Sequence, residues 1–441
     1  MKKIIISSSV FLMLVGALAA CSTPQTDAPN NESVVEYPTI YSTEIQAEEY
    51  PQYPEYREYP QYPEYPEYVE CPEYVNYQEE YSEIVINIPY VETLPGDIAV
   101  QYIMFMNDNL YARTAFTYRE LETAEWLVET LIGKGFDSED IVVQEFTLQD
   151  AFSTLSIAGT HDLPTADDFM LNILVHAGER EVRRYSQNVI LTIPGESNKT
   201  IIVGAHYDTW AFPGANDNAS GVALLLESAY RMRDLDNYYT LIYVFFGAEE
   251  VGVLGSSYFL STLSRAEIYN ILFMLNADLL FEGSYLLFTP GVMVTGVQWG
   301  GLVGSNRITR AFENIALELN DLHDDLELFS YPEGLYRFFS DHRPFYMRGI
   351  PVIMFSGMYR DDELGFSRRP FMFYLGYGED GRPRAIWTDT YRDGVFISHA
   401  GILHSWRDDI SFINEHWPGK IERAMWGYGI FLEAILLQRY T

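Results

Sequence analysis

The sequence predicts an α/β domain built on a mainly parallel, mixed sheet flanked by helices on both faces, and three observations carry that expectation. Short, strongly apolar runs at 200–205, 240–246 and 271–277 are bounded by turn residues and are too short for buried helices. Segments with helical spacing, 221–233 and 255–263, separate them, the order that parallel strands with crossover helices require. Polar side chains follow the apolar runs directly: His206 and Asp208, then Glu249 and Glu250, then Asp278. In open α/β sheets, sites gather beyond the C-terminal ends of the strands.

The remaining elements fit the same plan. Residues 118–133 read as an amphipathic helix, with Leu121, Ala124, Leu127 and Leu131 at helical spacing and glycines at its end. Strands are expected at 141–148, at 186–193 (closed by Pro194-Gly195), at 285–289 and at 351–355. A helix is expected at 307–319, and a last long one at 415–439 with Pro418 in its first turn.

The globular composition starts near residue 84, so 84–441 is read as the folded domain. What precedes it is different. Met1-Lys2-Lys3 gives a basic start, 4–20 is a run of apolar and small residues, and Leu18-Ala19-Ala20-Cys21 closes it. This pattern reads as an export signal over 1–20 and resembles the bacterial lipobox. That resemblance implies lipid modification of Cys21 and anchoring on the outer side of a bacterial cell membrane. Residues 21–83 form a linker whose centre repeats triplets such as Glu64-Tyr65-Pro66. Proline at every third position removes amide donors and favours extended polyproline II, while the glutamates repel one another. Aliphatic residues there are too scarce for a core, so a disordered spacer is expected.

The chain has two cysteines, and with Cys21 lipidated Cys71 stands alone, so no disulfide framework is expected. Lys and Arg total 28 against 63 Asp and Glu, a net charge of -35, which excludes nucleic acid as a partner. Arg57 is the sole basic residue between positions 22 and 100, so much of the acidity belongs to the spacer.

The polar residues beyond the strands suit metal chemistry. Asp208, two positions after His206, is placed to fix a metal-ligating imidazole through its second nitrogen. Asp217 lies in Gly-Ala-Asn-Asp-Asn-Ala-Ser-Gly, where small residues let backbone approach closely. A carboxylate there can cap the following helix, or bridge two cations about 3.5–4 Å apart. Glu249 and Glu250, side by side after a very apolar strand, are costly neighbours unless cations compensate them. One can bind metal while the other takes a proton from bound water.

Together, Gly-Ala-His-Tyr-Asp-Thr, Gly-Ala-Asn-Asp-Asn-Ala-Ser-Gly and Gly-Ala-Glu-Glu-Val-Gly-Val-Leu-Gly-Ser resemble the co-catalytic zinc peptidases of metallopeptidase family 28 in order and spacing. That family includes leucyl aminopeptidases, glutamate carboxypeptidase II and, more distantly, glutaminyl cyclases. The resemblance runs from about residue 110 to the C-terminus. It implies two zinc ions and a peptide substrate. His206 and Asp278 would hold one ion, Asp217 would bridge, Glu250 and a late histidine would hold the other, and Glu249 would be the general base. His404, in Leu-His-Ser-Trp-Arg-Asp-Asp, fits the late ligand; His342, in Ser-Asp-His-Arg-Pro-Phe, and His399 are the other candidates. Asp341 is a candidate contact for a substrate amine, and Asp208, His342 and Asp408 are candidates for supporting positions.

Three departures from the family pattern stand out. Leu403 replaces a tyrosine that stabilises the oxyanion in many relatives, leaving that role to another donor such as Arg343 or Tyr346. Asn-Ala-Asp-Leu-Leu around Asp278 is a loose match, and 358–399 is longer than usual. The leading expectation is an aminopeptidase. The alternatives are a one-zinc glutaminyl cyclase-like acyltransferase and an inactive peptidase scaffold that binds a partner.

Overall fold

The computed structural model describes residues 94–155, 173, 181–210, 212–281, 285–293, 303–331, 340–358, 403–404 and 407–440, and short backbone ladders between 360 and 398. The export signal, Cys21, the spacer, Cys71 and His399 lie outside the described residues. The chain divides into Met1–Tyr77 and Gln78–Thr441, and every described residue belongs to the second unit.

A nine-stranded sheet organises that unit. Its strands are β1 (Ile141–Thr147), β2 (Tyr185–Ile193), β3 (Thr200–His206), β4 (Thr240–Phe246), β5 (Ile271–Ala277), β6 (Tyr285–Met293), β7 (Val303–Gly304), β8 (Leu328–Ser330) and β9 (Val352–Met358). The order is β1-β2-β4-β3-β5-β9-β6-β7, with β8 also on β6. The four central strands, β4, β3, β5 and β9, run parallel. Antiparallel pairing flanks them, through β1 and β2 on one side and β6 on the other. The sheet is the expected mixed one, with its parallel part at the centre.

Burial explains why the central strands read as continuous apolar runs rather than alternating ones. On β3, Ile201, Val203 and Ala205 face one core while Ile202 faces another. The same split recurs on β4, where Leu241, Tyr243 and Phe245 oppose Val244 and Phe246. The larger core is closed by the helices Asp97–Asn109, Tyr118–Gly133, Ser220–Met232, Arg307–Leu322 and Lys420–Leu436. Leu254–Thr262 and His342–Met347 cover the smaller one with Phe259, Leu260, Phe345 and Tyr346.

Two expectations need correction. The last helix is not continuous over 415–439: Ile410–His416 ends at Trp417, and Lys420–Leu436 begins after Gly419. Pro418 lies between them and Gly419 sits at φ +76°, a conformation that ends one helix and redirects the next. Strand β6 runs past residue 289 through Pro290 and Gly291, because antiparallel pairing with β9 continues to Val352. The helices Asp97–Asn109 and Leu148–Leu155 carried no clear sequence signal and are additions.

Helix Ser220–Met232 lies so close to β5 that a Cβ at Gly221 would meet the Ala277 carbonyl oxygen at 2.2 Å and Asn218 Oδ1 at 2.6 Å. Neither atom is the end of a flexible chain free to move: Asn218 is itself hydrogen-bonded to Ala277 and Gly221. Gly221→Ala is therefore expected to destabilise the fold by about 1–3 kcal/mol, the usual cost of forcing extra volume into packed structure. Urea unfolding followed by circular dichroism measures it, and an unchanged midpoint contradicts the packing argument.

Candidate metal centre

Strand register sets the site. His206 ends β3 opposite Phe246 of β4, and Gly204 lies opposite Asn276 of β5, which puts Asp278 level with His206. Just past β4 the chain turns sharply through Ala248 at φ +54° and Val253 at φ +52°, presenting Glu249 and Glu250 at the strand end. Asp217 arrives on the segment Ala215–Ala219, which leads into helix Ser220–Met232. His404 comes from far downstream, in a turn at φ +52°.

Asp217 is the meeting point. Its Oδ1 lies 3.2 Å from His206 Nε2, and its Oδ2 lies 3.0 Å from His404 Nε2. Each imidazole has a second carboxylate of its own: Asp278 Oδ1 at 3.3 Å from His206 Nε2, and Glu250 Oε2 at 2.9 Å from His404 Nε2. Glu249 stands beside the first group, with Oε2 at 4.0 Å from His206 Nε2. Two donor groups therefore share one carboxylate. Zinc bonds of about 2.0–2.2 Å in tetrahedral array put neighbouring donors roughly 3.3–3.6 Å apart, close to the 2.9–3.3 Å separations here. The donor set is imidazole and carboxylate, and Glu250 Oε1 is buried with no hydrogen-bond partner among the described residues. His206, Asp217 and Glu250 bring three donor atoms within 4.8 Å of one another.

Backbone clamps hold these side chains. Asp408 accepts the amide N–H of Asn216 and, at 2.9 Å, that of Asp217. Asp208 accepts the N–H groups of Glu249 at 2.9 Å and Glu250 at 3.1 Å. Asp208 does more than orient His206: its carboxylate fixes the β4 exit loop, while its own carbonyl oxygen lies 3.1 Å from His206 Nδ1. Its Oδ1 is 3.6 Å from that nitrogen. Asn276 donates to Ser340 Oγ at 2.8 Å, tying β5 to the segment before His342.

Crowding of acids in a water-poor pocket perturbs their titration. Burial pushes Glu249 well above the usual carboxylate range, with His206 opposing and Glu250 adding to the rise. Burial likewise raises Glu250 to about 7, with Asp217 adding to the rise, and Asp408 to about 7. Asp217 goes the other way: burial opposes, but hydrogen bonds from both imidazoles hold it well below its ordinary value. His404 is pushed up to about 10, since Glu250 and Asp217 outweigh its burial. The pocket thus favours positive charge at the two imidazole positions, the same preference that cations would satisfy.

Two further predicted residues are buried. Asp341 has no exposed surface, and burial raises it to about 7. His342 opens its short helix and is 1% exposed. Leu403 is buried, and Tyr346 packs into the apolar cluster of the smaller core.

Sequence reasoning did not single out Arg113, Asn216 or Trp210. Arg113 is fully buried, and its guanidinium donates to the carbonyls of Tyr207, Leu110, Pro213 and Gly214 at 2.7–3.0 Å. Asn216 accepts the Phe281 N–H at 2.6 Å, joining the Asp217 segment to the β5 exit. Trp210 stacks on His404 with ring centroids 4.2 Å apart. The one available signal for Arg113 was an arginine in an otherwise uncharged stretch, Leu-Tyr-Ala-Arg-Thr-Ala-Phe.

Residues 188–428 match the profile of Peptidase family M28, more than half of the chain, and the chain belongs to that family. Over 177 residues it is 30% identical to a probable leucine aminopeptidase 2 of Aspergillus oryzae, covering 39% of this chain and 34% of that protein. Over 69 residues it is 44% identical to aminopeptidase YwaD of Bacillus subtilis, 15% of each chain. The matched segments thus span about a third or less of these relatives. Among solved structures, the zinc aminopeptidase BSAP of Bacillus subtilis aligns with TM-score 0.51 at 17% identity, over 78% of this chain and 95% of that one. At that identity the likeness speaks for the α/β fold.

Removing the Asp408 carboxylate would strand two buried N–H groups directly at Asp217. Asp408→Ala is expected to cost roughly 1–3 kcal/mol per unpaired donor. Chemical denaturation of the chelator-treated protein tests this free of metal effects, and a loss below about 0.5 kcal/mol would contradict the clamp.

Proposed function

We propose that this protein is an exported, metal-dependent exopeptidase, with removal of N-terminal residues from peptides as its leading activity. The observation that carries the reading is Asp217, whose two carboxylate oxygens each face a different imidazole, each backed by its own acid. A donor set of that shape suits two divalent cations, and imidazole with carboxylate suits zinc. In this reading His206 and Asp278 would hold one ion, His404 and Glu250 the other, and Asp217 would be shared by both. When bound, such a pair supplies a water of lowered pKa and an electrophile for the scissile carbonyl.

The chain's own residues do the rest. Glu249, outside both donor groups yet beside the first, accepts the proton of the attacking water and passes it to the leaving amine. Burial pushes its pKa upward, the direction that favours proton uptake by a carboxylate. Asp208 holds the backbone that carries Glu249 and Glu250 by accepting both amides. Asp408 does the same for Asp217. The acid-rich pocket favours a cationic amine at the free end of the substrate, which supports the aminopeptidase choice.

Residues 1–21 support export and lipid anchoring through Cys21 on the outer face of a bacterial membrane, with 21–83 as the spacer. Cys21→Ser is expected to move the protein from the membrane fraction to the soluble exported fraction in a bacterial host; unchanged fractionation would sink the anchor.

The activity itself is tested with aminoacyl and carboxy-blocked peptides and metal analysis. Glu249→Gln is expected to lower kcat by about 10²–10⁴-fold while bound metal stays near the wild-type value. Turnover at the wild-type rate would remove Glu249 as the base. One ion per chain, with cyclisation of N-terminal glutamine, would return the acyltransferase alternative.

A further inference from the structure

The two imidazoles at Asp217 are supported very differently. His206 is the last residue of β3, 1% exposed, and its Nδ1 meets the Asp208 carbonyl oxygen at 3.1 Å. His404 belongs to no helix or strand, has its backbone in the left-handed region at φ +52°, and keeps 15% of its side chain exposed. Its Nε2 is aimed at both Asp217, at 3.0 Å, and Glu250, at 2.9 Å.

Trp210 provides a face for it. The indole and imidazole planes are 13° apart with centroids 4.2 Å apart. The loop that carries Trp210 is pinned on both sides: Thr209 N–H donates to the Arg113 carbonyl at 3.2 Å, and Phe212 accepts the Ala112 N–H at 2.9 Å. Arg113 then grips the Pro213 and Gly214 carbonyls at 2.9 and 3.0 Å. The platform is therefore part of the fixed scaffold, and it is the β3 exit that carries it. The same short stretch, His206-Tyr207-Asp208-Thr209-Trp210, supplies one imidazole, the clamp on Glu249 and Glu250, and the surface beneath the other imidazole.

We propose that Trp210 is a positioning residue for the second cation: its indole face fixes the His404 ring so that the His404, Glu250 and Asp217 donors converge. This deepens the two-cation reading and rests on it. A stacked aromatic pair is worth about three- to tenfold in an equilibrium constant beyond the area it buries. Loss of the indole should therefore weaken one ion selectively, since His206, Asp208 and Asp278 do not depend on it.

The test is calorimetric titration of chelator-treated full-length protein with zinc chloride, for wild type, Trp210→Leu and Trp210→Phe. Wild type is expected to take up two ions. In Trp210→Leu one of the two ions should lose three- to tenfold in affinity with the other unchanged, and Trp210→Phe should stay within about threefold of wild type on both. Wild-type affinities in Trp210→Leu, or equal weakening of both ions, would overturn the role of Trp210 while leaving two cations in place. A wild-type chain that takes up one ion would overturn the two-cation reading and this inference with it. Because a leucine at this position can compromise folding, cobalt(II) quenching of tryptophan emission gives an independent readout. Wild type should lose an emission component on the second equivalent that Trp210→Phe lacks, and identical quenching in the two proteins would overturn the proposal.

Discussion

A single carboxylate, Asp217, is contacted from opposite sides by two histidines that are 198 positions apart in the chain, and the organisation of the site follows from holding it there. A buried acid between two imidazoles, with Glu249, Glu250 and Asp278 close by, concentrates negative charge where water is scarce. Such a group survives in a folded protein only if cations or donated hydrogens offset it. The Asp217 carboxylate meets the two imidazoles, while the flanking acids Asp408 and Asp208 accept backbone hydrogens, from Asn216 and Asp217 and from Glu249 and Glu250 respectively. Arg113 adds a buried positive charge that touches carbonyl oxygens alone, and burial brings its pKa down to about 10.

The fold makes this assembly possible in a direct way. Parallel strands end at one edge, so residues following β3, β4 and β5 meet there without long loops. In-register pairing of His206 with Phe246, and of Gly204 with Asn276, converts sequence distance into a common level. Close packing of helix Ser220–Met232 at Gly221 then brings the Asp217 segment down onto the β5 exit. Fold stability and site geometry share the same contacts, which ties a single added methyl at Gly221 to both.

What was legible in the sequence was what depends on local pattern. Apolar runs buried on both faces announced β3, β4 and β5, and the polar residues that break each run marked the strand ends. His404 was recognisable from its surroundings, although only the folded chain brings its Nε2 to Asp217 and Glu250. The less legible features are long-range. Arg113 matters because four carbonyls from separate places face its guanidinium, and no local pattern records that. Trp210 read as an ordinary aromatic residue until His404 was laid against it. Asp341 was legible as an acid near the site, but its complete burial is a property of the folded chain. The final helix was read as starting at residue 415 because a first turn tolerates proline, whereas Pro418 and Gly419 lie between two separate helices.

Everything in the functional account turns on whether Asp217 joins two metal ions. X-ray absorption spectroscopy at the zinc edge of the fully loaded protein addresses that most directly. The account predicts two ions per chain and a metal–metal scattering vector at about 3.5–4 Å, which disappears in Asp217→Asn. A lone zinc with no metallic neighbour in the wild-type protein would contradict it.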